Sequence, residues 1–468
     1  MKPEANGNRQ GMPATNKRKA FIIKEEFIMS MVVKNNMAAI NTLNVLNVNT
    51  NNLSKSLKKV SSGMKINSAA DDASGYAISE RMRVQIRSLD QDKANAQNGN
   101  AMMKVAEGAV SSTVDILKTL KEKVINAAND TNTDNDRATI QKELDQSIDQ
   151  INDNASVTYN GQYLVDGSHN NKTVDTTGTF TNKSLNTGTA GTSTITALTN
   201  RNGESLNIQS TDNVTVSFVY GGETYTTTYS VGTTTLSGIF TAANGITGGP
   251  GAVFNTTLSN TSDIGVLDGS GNSVYTASGE SAISVSAAAA GAITQISGFT
   301  ISITDNTGKV NKSANAVLDA FDETLRAQHA SADNSIVLQI GTKASQSIKA
   351  GMTDMRAVAL GLAGTDGKTL NIGTQVKANA AINVLDNAIQ KALDLQTTLG
   401  SVQSRLEYTQ SNLTTASENV TSSESTIRDA DMAKEMTEYT KNNVLMQAAQ
   451  SMLAQANQNS SNVLSLLQ

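Results

Sequence analysis

Hydrophobic positions in the C-terminal stretch fall on a helical repeat. Leu385, Ala392, Leu399, Leu406, Leu413 and Val420 recur every seventh residue, with companions at Ile382, Ile389, Gln396, Gln403, Gln410 and Ser417. A 3-4 spacing sustained over about six heptads predicts a long helix with a seam for other helices. Half of the seam is polar, and Gln at such positions lowers stability while fixing register and partner number. A second strip follows at Leu445, Ala449, Met452, Ala456, Asn459, Val463 and Leu466. From Gln375 to Gln468 there is no Pro and a single Gly, Gly400, so little in the composition interrupts a helix.

The N-terminal side carries the counterpart. Leu43, Leu46, Thr50, Leu53, Leu57, Val60 and Met64 repeat at the same spacing. Small and acidic residues from Ser68 to Gly75 break the pattern, and Asp71, Asp72 or Ser74 can cap a following helix. The seam resumes weakly at Met82, Gln85 and Leu89. It strengthens through Met103, Ala106, Val110, Thr113, Leu117, Leu120, Val124 and Ala127, and Asn129 to Asn132 end it. A shorter helix carries Ile140, Leu144, Ile148 and Ile151.

Near Val157 the period changes. Tyr159-Asn160-Gly161-Gln162-Tyr163 predicts a hairpin. From about Asn170 to Gly308 the chain is rich in Thr, Ser, Gly and Asn. Val214–Tyr220, a Gly221-Gly222 turn and Thr224–Tyr229 read as a second hairpin, and Phe299–Thr304 alternates as a strand. Most Phe residues of the body lie here, so the block is expected to bury a small β core; a disordered polar linker is the alternative. Helical signals return from Ala314 to Gln328, and Ile336–Ile340 reads as a strand. The expected fold is α+β, with long coiled-coil-like helices from both termini and a Thr/Ser/Gly-rich β insertion. The terminal strips are expected to pair with each other, as are the two longer inner seams.

Composition narrows the function. The chain has 468 residues, of which 38% are hydrophobic and 4% aromatic, with no Trp and no Cys. Such a chain lacks the bulky core residues of a typical large enzyme and has neither a disulfide framework nor a thiolate metal site. A net charge of −5, with no basic stripe in the body, argues against nucleic acid. No apolar run approaches the roughly 18 residues of a transmembrane helix. Residues 1–30 differ in character from the rest of the chain. They read either as a disordered leader or as translated sequence upstream of a start at Met29 or Met31, since Lys24-Glu25-Glu26 is what a purine-rich ribosome-binding sequence would encode.

Catalytic chemistry is sparse. His169 and His329 are the two histidines, and neither sits in a His-Glu-x-x-His motif. Asp71-Asp72 lacks a His or a spaced carboxylate cluster and reads as a helix start. Gly269-Ser270-Gly271 lacks the strand and helix of a phosphate loop. Met432, Met436, Met446 and Met452 read as seam packing. No catalytic, cofactor-binding or metal-binding residue is assigned.

At both ends the chain resembles bacterial flagellin. The N-terminal match runs through Asn41-Thr42-Leu43-Asn44, Ser61 to Gly75, Glu80-Arg81-Met82-Arg83, Ala94-Asn95-Ala96-Gln97 and Ala106-Glu107-Gly108-Ala109. The C-terminal match runs through Ser404-Arg405-Leu406-Glu407, Ser417-Glu418-Asn419, Arg428 to Glu435, Gln447 to Gln450 and Met452 to Asn457. The resemblance implies a structural, non-enzymatic subunit without cofactors that self-assembles into the flagellar filament for motility. It implies export unfolded and without a cleaved signal peptide, folding at the filament tip, and an extracellular location. Other subunits, a filament cap, hook-junction proteins and an export chaperone are the implied partners. Residues 31–66 and 430–468 would form the inner filament core, 67–169 with 333–429 a helical rod domain with a β-hairpin, and 170–332 a variable surface domain. Leu43, Leu46, Leu53, Leu57, Leu399, Leu406, Leu413, Leu445, Met452 and Leu466 are the expected packing seams. A hook–filament junction protein, or an adhesin with the β block as its binding module, are the alternatives.

Flagellins sensed by Toll-like receptor 5 have an Arg-x-Arg-Glu-Leu pattern in this helix. Here the matching positions read Thr119-Leu120-Lys121-Glu122-Lys123, with Glu143 at a nearby acidic position. Only Glu122 is kept. Lys121 lacks the bidentate guanidinium fork, Thr119 lacks a cation and Lys123 replaces an apolar contact, so weakened receptor binding is expected. Val463–Leu467 resembles the leucine-rich tail sensed by cytosolic receptors and reads equally as core packing. Exposed Ser and Thr of the middle block could accept O-linked glycans, as in the family, or be plain polar positions.

Overall fold

A computed structural model of the chain describes residues 36–266, 273–276 and 279–466. The expected leader at 1–30 and the Gly269-Ser270-Gly271 piece lie outside the described residues. The first elements are helices α1 (Met37–Ser62), α2 (Ala73–Ala127) and α3 (Asp134–Ala155), followed by strands β1 (Thr158–Tyr159) and β2 (Gln162–Tyr163). The middle block holds β3 (Thr179–Asn182), β4 (Asn213–Tyr220), β5 (Glu223–Ser230), α4 (Leu236–Asn244), β6 (Ser259–Thr261), β7 (Asp263–Val266), β8 (Ser273–Tyr275), β9 (Ala282–Ser286), β10 (Ile296–Thr304), α5 (Lys312–Leu318) and β11 (Phe321–Leu325). The chain returns through β12 (Ile336–Gln339), β13 (Ser347–Ala350) and α6 (Ala357–Leu360) to α7 (Gln375–Arg428) and α8 (Met432–Leu466). It divides into two compact units, Met1–Glu80 with Ser423–Gln468, and Arg81–Ser422.

In the first unit, α1 and α8 run antiparallel. The side chain of Asn36 caps α1 by accepting from the Ala39 amide, and Gly63, at φ 71°, ends it in the left-handed conformation that costs Gly least. Asp72 starts α2, its Oδ1 accepting from the Ser74 and Gly75 amides, both at 3.0 Å. Asp431 does the same for α8 at the Ala433 amide, 3.0 Å away.

In the second unit, α2 and α7 lie antiparallel. Gln403 Nε2 donates to Glu107 Oε2 at 2.7 Å, Ser417 Oγ to Asp90 Oδ1 at 3.1 Å, and Lys121 pairs with Asp386. Met103, Ala106, Val110, Leu117, Leu120 and Val124 of α2 share one core with Leu385, Ala392, Leu395, Leu399 and Leu406 of α7, to which α3 adds Leu144, Ile148 and Ile151. The α7 seam differs from the sequence reading on one flank. Ala381, Ala388 and Leu395 are its buried companions, while Ile382, Ile389, Gln396, Gln403 and Gln410 are half-buried at the edge. A seven-residue column has neighbours on both sides, and Ile382 and Ile389 still pack on the same core from its edge.

The middle block holds a three-stranded sheet ordered β10-β4-β5 and a four-stranded sheet ordered β11-β3-β9-β6. Phe180, Phe218, Phe240, Phe254 and Phe299 meet at ring separations of 5.1–5.7 Å, so the block is a packed β core and not a polar linker. The helix expected from Ala314 to Gln328 stops at Leu318. Asn311 caps it, and beyond Asp319 the chain enters β11, where Phe321 packs 5.0 Å from the Phe299 ring. Alternation of Phe321, Glu323 and Leu325 suits a strand beside β3 better than a further helical turn.

The block is seated on α7. Asn383 and Asn387 donate to the carbonyls of Phe299 and Ser297 at 3.1 and 2.9 Å. The β4–β5 turn abuts the loop before α7, where Glu223 and Lys368 pair at 2.8 Å. Gly222, at φ 79°, lies so close there that a Cβ would come within 2.5 Å of the Lys368 carbonyl.

Candidate assembly surface of the terminal helices

Polar side chains bond across the contact between α1 and α8. Asn36 Nδ2 donates to the Ala456 carbonyl at 3.0 Å, Asn49 Nδ2 to that of Leu445 at 3.2 Å, and Asn442 Nδ2 to Ser56 Oγ at 3.0 Å. Lys59 pairs with Glu435 at 3.4 Å. Ser56 and Asn442 are buried in this contact. Leu46, Leu53, Val60, Met446 and Leu453 contribute half-buried edges.

Other apolar residues of the same helices are exposed. Met37 is 61% exposed, Val48 57% and Leu57 51% on α1; Val444 is 59% and Met452 62% exposed on α8. Ile40, Leu43, Val45 and Leu445 are exposed with them. The two strips are thus split: Leu46, Leu53, Val60, Ala449 and Ala456 are buried or half-buried, while Leu43, Leu57, Leu445 and Met452 stay exposed. Asn and Ser seat the chain's own helices, because buried amides and hydroxyls are tolerable once hydrogen-bonded. Leu, Ile, Val and Met side chains thus remain exposed on both helices.

An arginine elbow organises the end of this unit. Arg428, buried at the end of α7, donates from Nη1 to Glu80 Oε1 at 2.6 Å, and its guanidinium lies 5.4 Å from the centre of the Tyr76 ring. Its carbonyl accepts from the Lys65 amide at 2.7 Å, and the Ala430 amide donates to the Gly63 carbonyl at 2.9 Å. One residue thus ties the α1–α2 loop to the break before α8. In that loop, the Ser68 hydroxyl, with the Asn67 and Ser68 amides, holds the Asp71 carboxyl below the usual range. An open cleft of about 700 Å³ beside it is lined by Lys55, Lys59, Lys65, Lys441, Asp71, Asp72 and Glu438.

The remaining seam residues divide. Leu399, Leu406 and Leu413 are buried within the chain, whereas Leu466 lies beyond the described side chains, as does the Val463–Leu467 tail. The segment compared with receptor-binding flagellins lies on an outer face of α2. Thr119 and Glu122 are exposed, Lys121 pairs with Asp386, and Lys123 pairs with Glu143 at 3.0 Å. His169 Nδ1 lies 3.3 Å from the Asn334 carbonyl, and the His329 ring packs on Gly291. Among the described residues there is no group of three metal-ligating side chains and no helix long and apolar enough to cross a membrane.

Known proteins carry the same ends. Residues 33–170 match the bacterial flagellin N-terminal helical region, and 382–467 the bacterial flagellin C-terminal helical region. Flagellin of Clostridium tyrobutyricum is 36% identical over 92% of this chain and 99% of its own length. The chain belongs to the bacterial flagellins. Flagellin of Bacillus subtilis (strain 168) is 29% identical over 93% of this chain and all of its own. The flagellar filament 33 kDa core protein of Treponema phagedenis is 28% identical over the same shares. A solved flagellar junction protein from Legionella pneumophila aligns at 16% identity over 75% of this chain and 99% of its own, with a TM-score of 0.30, too low to carry an argument. This flagellin is a structural subunit of the flagellar filament, which lies outside the cell, and the junction-protein and adhesin readings are not favoured.

Proposed function

We propose that the exposed apolar faces of α1 and α8 are where copies of this chain pack against one another in the filament. The observation that carries this is that the terminal unit leaves large apolar side chains of both helices exposed while Asn and Ser bond across their own contact. Burying a Leu, Val or Met side chain contributes about 1.5–3 kcal/mol, so six of them contribute on the order of 10 kcal/mol per subunit. Ordering the terminal segments on assembly offsets much of that. Contacts of this kind are heterologous and do not close, so they build a helical filament. Residues 31–66 with 430–468 then form its core, 67–169 with 333–429 the surrounding rod, and 170–332 the outward surface.

Under this reading the chain is secreted unfolded through the flagellar export channel with a chaperone, meets hook-junction proteins at the filament base and folds beneath a cap. Thr119, Lys121 and Lys123 weaken recognition by Toll-like receptor 5, because two cations are lost or lack the fork and an apolar contact becomes charged. Seeded sedimentation tests the assembly reading. Heat-dissociated protein added to filament fragments is expected to pellet as long filaments, and chain that stays in the supernatant would sink it.

A further inference from the structure

Lys391 of α7 is a buried cation facing the middle block. Its Nζ lies 3.0 Å from Gln295 Oε1 and 3.5 Å from Glu323 Oε1. The Lys391 and Glu323 side chains are 9% and 5% exposed, and Gln295 is 4% exposed. Gln295 cannot turn freely, since its Nε2 donates to the Val358 carbonyl at 2.8 Å and faces that of Ala359 at 3.4 Å. The amine donates to the amide oxygen, one bond from the carboxamide carbon, and so stands beside that group. Three distant segments meet here, and Lys391 and Gln295 are 96 positions apart.

An ion pair alone would need only Lys391 and Glu323. The third member is an electrophile, and the trio combines a nucleophile, an amide and a proton carrier away from water. Burial lowers the Lys391 pKa, and the nearby Arg326 cation pushes the same way while Glu323 opposes. The neutral amine that attack requires is thus more accessible than in solvent.

We propose that Lys391 and Gln295 join in an intramolecular amide bond, with Glu323 moving the proton. Glu323 takes a proton from the Lys391 ammonium, and the freed Nζ lone pair attacks Gln295 Cδ. A new C–N bond forms as the carbonyl π electrons move to oxygen. Glu323 transfers that proton to the original amide nitrogen and then takes the second proton from Nζ. The carbonyl re-forms as the Cδ–Nε2 bond breaks, and the departing ammonia takes the second proton from Glu323 and leaves as ammonium. No oxidant or reductant takes part. Holding reactants in place is worth effective molarities up to about 10⁵–10⁸ M, which makes a normally slow aminolysis accessible in a folded protein. The chain has no Cys, so an amide is its available covalent tie, and it would fix the β block to α7 irrespective of redox conditions. The bond is independent of filament assembly and can be sought in the monomer.

Peptide mass mapping of the purified full chain, folded and then denatured, tests this. A branched peptide joining the Gln295 and Lys391 segments, one ammonia lighter than their sum, is expected. Glu323→Gln, which keeps the shape but cannot accept the proton, is expected to return both as separate linear peptides with an unchanged circular dichroism spectrum. Linear peptides from the wild-type chain would overturn the proposal, whatever the variant does. So would an ammonia loss mapping elsewhere, such as succinimide at Asn160-Gly161.

Discussion

Replacing Arg428 with Ala removes the group that joins both ends of the terminal unit. The wild-type side chain is 7% exposed and makes a 2.6 Å charge-assisted hydrogen bond to Glu80. Bonds to charged groups contribute about 1.5–3 kcal/mol. The guanidinium 5.4 Å from the Tyr76 ring centre adds about 0.5–2 kcal/mol. Glu80 is 36% exposed and rehydrates in part when its partner is lost, so the lower half of the combined range applies, about 3 kcal/mol. Where this unit orders only on assembly, that loss falls on polymerisation, and at about 1.4 kcal/mol per tenfold it raises the critical concentration roughly 100-fold. Arg428→Lys keeps the charge but not the fork and is expected to fall between the two. Critical concentration is read by seeded sedimentation, with the thermal unfolding of the remaining chain as control. An Arg428→Ala protein that polymerises at the wild-type critical concentration would show that the elbow does not couple the two ends.

Four further outcomes are expected. Gly222→Ala combines left-handed backbone strain with a Cβ 2.5 Å from the Lys368 carbonyl and should cost about 2–4 kcal/mol, more than Gly221→Ala, which meets nothing within 4 Å; equal melting temperatures would contradict the close approach. Lys349 and the Ser335 hydroxyl depress the Asp333 carboxyl to about 2, so the stability it contributes is full above about pH 4 and is lost as pH falls toward 2. The stability difference between wild type and Asp333→Asn should therefore shrink across that window, and a constant difference would argue against the pairing. Thr119→Arg with Lys121→Arg and Lys123→Leu should raise potency in a Toll-like receptor 5 reporter assay, whereas a wild-type chain already at full potency would reject the weakened contact. Replacing Gln396, Gln403 and Gln410 with Leu should increase premature aggregation of monomer, scored by light scattering, since it removes the Gln403–Glu107 bond and leaves apolar side chains at a half-buried edge; unchanged scattering would deny the column any such role.

The long helices were legible because a 3-4 repeat over many turns has few other solutions, and the breaks at Ser68–Gly75 and after Arg428 carry their own caps. The β4–β5 hairpin was legible from alternation around Gly221-Gly222. Which face of a helix turns inward was less so. Leu43 and Leu57 are exposed while Leu46, Leu53 and Val60 of the same repeat are half-buried, and Ser56 and Asn442 are buried in the contact between α1 and α8, because polar side chains can be buried once hydrogen-bonded. The β11 strand was hidden because Ala314–Gln328 lacks Pro and Gly, and only pairing with β3 decides against helix. Lys391, Gln295 and Glu323 carry no local motif. Their meeting is a product of tertiary structure, and a lysine in an otherwise apolar column at Ala388, Ala392 and Leu395 was the single available sign.

The proposed assembly through the terminal helices depends on apolar side chains that are exposed in the single chain. Electron cryo-microscopy of filaments reassembled from purified protein reads their fate, through the surroundings of Met37, Val48, Leu57, Val444 and Met452. The expected map buries these side chains against neighbouring copies while the Ser56–Asn442 contact stays within each chain. A filament in which they still face solvent, with copies joined through other surfaces, would contradict it.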